Sequence, residues 1–162
     1  MMDILFEQRI VQNTGFGAEI IWQAVMESYV SNARTSGVPF HLAFLVLPLT
    51  FHRRTATALA TKTRLGAIYK ALSEDREITV GLQERMESLA DRTLQSLSIG
   101  FSTGLLQFDQ SGGHQIYPAR KSPPINHVTD NVKIIMNAAK RIGQAFSELT
   151  IAQLVKHLGI RF

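Results

Sequence analysis

Residues Leu105–Ala119, "LLQFDQSGGHQIYPA", carry the sharpest local signal in the chain. Two short runs of β-forming residues flank "DQSGG", whose glycines supply the positive φ of a tight reversal, so the segment predicts a β-hairpin. Upstream, from Ile78 to about Gly104, Met86, Leu89, Ala90, Thr93, Leu97, Phe101 and Leu105 recur every three or four residues. Glu84, Glu87, Asp91 and Arg92 occupy other faces. The pattern predicts one long amphipathic helix, frayed or bent where Gly100 and Gly104 fall. Downstream, "RKSPPINH" (Arg120–His127) has two prolines that forbid regular structure and reads as a linker.

The rest of the chain is helical in pattern. After a polar turn, "NTGFG", two apolar stripes run from Ala18 to about Arg34: Ile21, Ala24, Val25 and Ser28 on one, Trp22, Met26, Tyr29 and Val30 on the other. That width implies a helix covered on two sides, stopped by "SGVPF". "PFHLAFLVLPL" predicts a short buried helix that Pro48 ends, although so short a run also fits a strand. A short helix is expected over Thr63–Ser73. Val132, Ile135, Met136, Ala139, Ile142, Gly143 and Phe146 form a single stripe. In the final segment, Thr150 and Gln153 have the spacing of a capping box, and Gly159 is a helix stop. The expected architecture is mainly α with one small β-hairpin, a winged-helix-like single domain. It divides into a helical part (1–104), a wing (105–119), a linker (120–129) and a second helical part (130–162).

At 162 residues and 45% hydrophobic, the chain is long enough for one compact core. Cysteine is absent, which removes disulfides, thiolate metal sites and cysteine nucleophiles, and fits a cytoplasmic setting. The start, "MMDILFEQRIVQNTGFG", has early acids and no basic n-region, unlike a signal peptide. The longest apolar run, Leu42–Phe51, is half of the roughly 20 residues a spanning helix needs, so no membrane role is expected.

No catalytic constellation is apparent. His41, His52, His114, His127 and His157 are scattered, with no pair at the spacing that sets two ligands on one helix face. "GFGAEI" lacks the third glycine and the βαβ frame of a dinucleotide fingerprint, and no GxxxxGK[ST] occurs. No cofactor, metal or catalytic residue is therefore assigned, and enzymatic activity is not expected. Gly15 and Gly17 read instead as a turn and a close-packing position before the first helix.

Charge is distributed unevenly. Net charge is +4, and no Asp or Glu occurs between Glu27 and Glu74, an interval holding Arg34, Arg53, Arg54, Lys62, Arg64 and Lys70. A solvated basic face explains this as well as a contact for a polyanion or acidic protein does. His52, Arg53, Arg54, Lys62 and Arg64 are the candidate contact residues. DNA reading through the helix before the hairpin is disfavoured, because that helix is acid-rich.

Four stretches, in order and spanning most of the chain, resemble one family. They are "NTGFGAEIIWQAVMESY", "GVPFHLAFLVLPLTFHRRTATAL", "ITVGLQERMESLADRTLQSLSIGFSTGLLQFD" and "RIGQAFSELTIAQLVKHLGIRF". The family is the small middle components of bacterial three-component ABC systems of phage defence, whose hallmark is similar to "FLVLPLTFH" with its following basic residue. Thr14 departs from the family's pattern, standing where an "N-P-A" start has proline. The resemblance implies a role and transfers no active-site residue. It implies a non-catalytic adaptor between an SMC- or Rad50-like ABC ATPase and an effector, often a nuclease, with DNA reached only through the complex. Trp22, Tyr29 and Phe162 are candidate interface anchors, and each also fits ordinary core. The alternatives are an independent winged-helix nucleic-acid-binding regulator and an undetected enzyme or small-molecule sensor.

Overall fold

The computed structural model describes residues 13–61, 70–71, 75–121 and 129–162. The N-terminal dodecamer, Lys62, Arg64, most of the helix expected over Thr63–Ser73 and most of the expected linker lie outside the described residues. In chain order the elements are α1 (Thr14–Ser31), β1 (Val38–Pro39), a 3-10 helix (Phe40–Leu45), α2 (Val46–Thr50) and α3 (Arg53–Ala60). There follow α4 (Arg76–Thr79), α5 (Leu82–Ser88), α6 (Ala90–Ser102), β2 (Leu106–Asp109), β3 (Gln115–Pro118), α7 (Asp130–Glu148) and α8 (Ile151–Leu158). The chain is mainly helical with a small antiparallel sheet.

Helix α1 is the axis of the molecule. It begins four residues earlier than its apolar pattern indicated, because "NTGFG" is no turn: the Asn13 side chain accepts from the Phe16 N–H at 3.1 Å and caps the helix. Thr14, the departure from the family pattern, sits at the first helical position without disturbing that cap. Ten consecutive residues, Phe16–Val25, are buried, including Glu19 and Gln23. A helix apolar on two stripes must be covered all round, and α6, α7 and β3 cover it. Two glycines set the spacing. A methyl group at Gly17 would collide with the Ser96 hydroxyl on α6. One at Gly143 on α7 would run into the Ala24 carbonyl oxygen and lie 3.0 Å from Glu27 Cβ.

The hairpin forms where predicted, but the sheet has three strands, in the order β1-β3-β2. Val38 pairs with Ile116 and Pro39 with Gln115, while Leu106–Asp109 pair with Pro118–Gln115 in unbroken register. Two flanking bonds at 3.0 Å fix the phase of the ladders: Ala119 N–H to the Leu105 carbonyl, and Phe40 N–H to the His114 carbonyl. Antiparallel pairing alternates bonded and non-bonded pairs. Pro39 therefore falls at a non-bonded pair with its missing N–H turned away from β3, where a proline costs the ladder nothing. The sequence signalled no strand here because two residues have no periodicity.

The long helix expected over Ile78–Gly104 is instead three helices. Gly81 takes a left-handed φ of 72°, and Leu89 (φ −99°, ψ 3°) breaks the run again before α6. Apolar spacing survives both breaks, so periodicity alone reads through them. Arg85 holds the bend: its guanidinium donates to the carbonyls of Val80 (2.9 Å), Ile78 (3.3 Å) and Pro48 (3.3 Å). Gly100 is a packing position against Leu106, whereas Gly104, at φ 74°, ends α6.

Pro48 does not end its element. The 3-10 helix passes into α2, and Pro48 sits in the first α-turn, where proline is tolerated. The helix runs on to Thr50, whose hydroxyl bonds back to the Val46 carbonyl at 2.8 Å. Leu45, Val46, Leu47 and Leu49 are at most 2% exposed. At the C-terminus the capping box is present, with Thr150 and Gln153 exchanging bonds of 2.9 and 3.2 Å, and Gly159 closes α8 at φ 63°.

Candidate partner-binding surface

The apolar run and the basic run of "FLVLPLTFHRR" meet at one corner. The chain leaves the buried α2 through Phe51 and His52 and turns into α3, with His52 extended at φ −90°, ψ 109°. The His52 Nδ1 lies 2.7 Å from the hydroxyl of Thr55, itself buried, which ties the corner to the first turn of α3. Ala56 and Leu59 pin that helix to the core, while Arg53 and Arg54 are exposed.

An open groove of about 430 Å³ runs along this helix, bounded by Arg53, Arg54, Thr57, Thr61, Asp75 and Ile78. Two guanidinium groups and one carboxylate border it, over hydroxyls and methyl groups. The electrostatics of α3 are the unusual feature. Its first turn holds two arginines and no acid. A helix N-terminus carries a partial positive charge, so each exposed cation there costs roughly 0.3–1 kcal/mol at low ionic strength. At Arg53 folding stability alone would favour a carboxylate.

The three candidate anchors are not brought together. Trp22 belongs to the core at 2% exposure, and its indole N–H donates to the Arg120 carbonyl at 3.1 Å. Tyr29 is half-buried, edge-on to Tyr117 at 6.0 Å. Phe162 alone is well exposed, at 53%, and stands edge-on to His41 at 4.8 Å. Beside it, Gln83 takes the Arg161 N–H at 3.0 Å and donates to the Arg161 carbonyl at 3.3 Å, fixing the chain end.

The sequence did not signal Arg85. Burial pulls its pKa below the usual arginine value, with the neighbouring Glu84 acting in the opposite sense. Its donors go to three backbone carbonyls, so it clamps structure rather than binding at the surface. Among the described residues no group of three or more His, Asp or Glu could hold a metal ion, and no helix is long and apolar enough to cross a membrane.

The model of one family, ABC-three component (ABC-3C) system Middle Component 3, matches residues 1–162. The chain belongs to that family. No curated protein and no solved structure matches it. Membership makes this Middle Component 3 chain one part of a multi-component ABC system, and hence a protein with protein partners. In this Middle Component 3 the "FLVLPLTFH" segment is the buried half of the corner, and the arginines after it are its surface.

Proposed function

We propose that the chain is a non-catalytic adaptor that joins an SMC- or Rad50-like ABC ATPase to an effector, and that the corner at His52, Arg53 and Arg54 meets an acidic surface of one of them. Lys62 and Arg64 continue the basic character in sequence. The observation that carries the reading is the pair of exposed arginines in the first turn of α3. They sit where they oppose the helix dipole, above a floor of buried leucines that fixes their position. An anionic partner surface would relieve that opposition at Arg53. Charge pairing that becomes buried on assembly contributes roughly 1.5–3 kcal/mol per bond, and far less at an exposed rim.

The test is co-expression with the ATPase component of the same system and retention on a column at low and high salt. Wild type is expected to retain the ATPase, and Arg53→Glu with Arg54→Glu to lose it. Meanwhile the isolated Arg53→Glu chain should melt no lower than wild type, because a carboxylate suits the first turn. Failure of wild type to retain the ATPase would defeat the adaptor reading. Equal retention by the double variant would remove the corner from it. A shift of duplex DNA by the isolated chain, lost with rising salt, would favour a nucleic-acid binder instead.

A further inference from the structure

The last helix is lightly anchored. Helix α8 has about two turns, too few for a helix to persist in water by itself, so packing must hold it. Within it only Leu154 and Leu158 are buried, four residues apart on one face. They enter a seat formed by Leu45, Leu49, Leu59, Ile142, Ala145 and Phe146, where a void of about 10 Å³ remains. A void with apolar walls stays dry, and the side chains around it forgo part of their van der Waals contact. Ile160, at 4% exposure, is the third anchor. Only Leu149 and Thr150 connect α7 to α8, both extended (ψ 140° and 160°). Past α8 the segment is tied by the two Gln83–Arg161 bonds, which are exposed to solvent.

Charge argues in the same direction. Leu149–Phe162 contains Lys156 and Arg161 and no acid. Among the walls of the seat, α2 and α3 contain Arg53 and Arg54 and no acid. On α7, Lys133, Lys140 and Arg141 outnumber Asp130 and Glu148. Lys156 and His157 in the last turn suit the dipole of α8 itself, but they set a cationic helix on a cationic body. An acidic helix with the same apolar spacing complements this seat better than α8 does.

We infer that Ile151–Phe162 is a displaceable lid, and that the leucine seat beneath it takes an amphipathic helix of another component of the system, with apolar side chains four residues apart and carboxylates beside them. The inference rests on the adaptor reading and names the partner's chemistry, because Leu49 and Leu59 stand on the two helices that frame the arginine corner. Helix-in-groove recognition uses apolar anchors at this spacing. Anchors larger than leucine would also fill the void.

The experiment follows hydrogen exchange by mass spectrometry in the full chain, alone and with the two other components of its system added. In the chain alone, α8 amides are expected to exchange on the order of 100-fold faster than those of α1 and α7, since the lid opens without global unfolding. In the complex α8 should lose protection by about a further tenfold, while α2 and α3 keep theirs. Gln83→Ala removes the tie to Arg161 and leaves the seat intact. It should raise α8 exchange about threefold to tenfold and tighten assembly by the same factor, because a lid that opens more often competes less. A purely structural role for α8 predicts the opposite sign, weaker assembly. If the complex forms with α8 as protected as in the chain alone, this inference fails and the adaptor reading stands. Absence of any complex overturns both. Displacement of α8 that rising salt does not weaken would overturn the acidic character of the occupant. Dimers of the chain alone, with no change at α8 when the other components are added, would assign the seat to a second copy and overturn the proposed partner.

Discussion

Replacing Gly143 by alanine tests the axis of the fold directly. Alanine suits a helix interior better than glycine by about 1 kcal/mol, so on local grounds the substitution should stabilise α7. Packing argues the other way. The new methyl would collide with the Ala24 carbonyl oxygen of α1 and sit 3.0 Å from both the Ala24 carbonyl carbon and Glu27 Cβ. A side-chain tip could rotate aside, but a helix carbonyl cannot, so α1 and α7 must separate. Overpacking of this kind costs roughly 1–3 kcal/mol, and the backbone partner places it at the upper end. The net expectation is a loss of about 1–2 kcal/mol. For a chain of this length that lowers the melting midpoint by roughly 2–8 °C, measurable by calorimetry or circular dichroism. Asn137→Ala, at an exposed position of the same helix, is the control, with a midpoint unchanged or slightly raised. A Gly143→Ala chain as stable as wild type would mean that backbone contact does not set the spacing of α1 and α7.

Arg85→Ala should lower stability in urea titration by about 2–4 kcal/mol, since it removes charged donors from three carbonyls of the α2–α4–α5 junction. The hairpin turn should be acid-sensitive. Bonds from Ser111 and Gly112 hold the Asp109 carboxyl below the usual aspartate range. Its stabilisation is therefore complete above the unfolded value and is lost as pH falls through the folded one, below about pH 4. Asp109→Asn should abolish that part of the acid dependence, read by NMR of the Ser111 and Gly112 amides. Glu148 behaves oppositely, because partial desolvation of this otherwise exposed carboxyl raises its pKa. The protonated form is favoured in the folded chain, so Glu148→Gln should raise the midpoint at neutral pH and have no effect below the ordinary glutamate range.

Much of the fold was legible because it is written in local signals. The "DQSGG" reversal, the Thr150–Gln153 capping box and the Gly159 stop each depend on a few adjacent residues, and all three are present. What misled was continuity. Apolar spacing runs through Gly81 and Leu89, so one helix was expected where three occur; the interruptions come from a left-handed Gly81, where Arg85 clamps the bend, and from the non-helical backbone of Leu89. Pro48 looked like a terminator, yet a first-turn position removes its penalty. Strand β1 exists only because β3 offers an edge, which two residues could not announce. The arginine corner was visible as a charge imbalance, but its opposition to the α3 dipole required knowing where that helix begins.

The bond from Trp22 to the Arg120 carbonyl spans 98 positions of sequence and fastens the exit of the hairpin to the central helix. Since the chain has a single tryptophan, fluorescence excited selectively at the indole reports on that latch. A buried indole with its N–H engaged emits at short wavelength, and a red shift would mark release of the segment after Pro118 or loss of the core around α1. Opening of this latch can thus be followed in solution without any added dye.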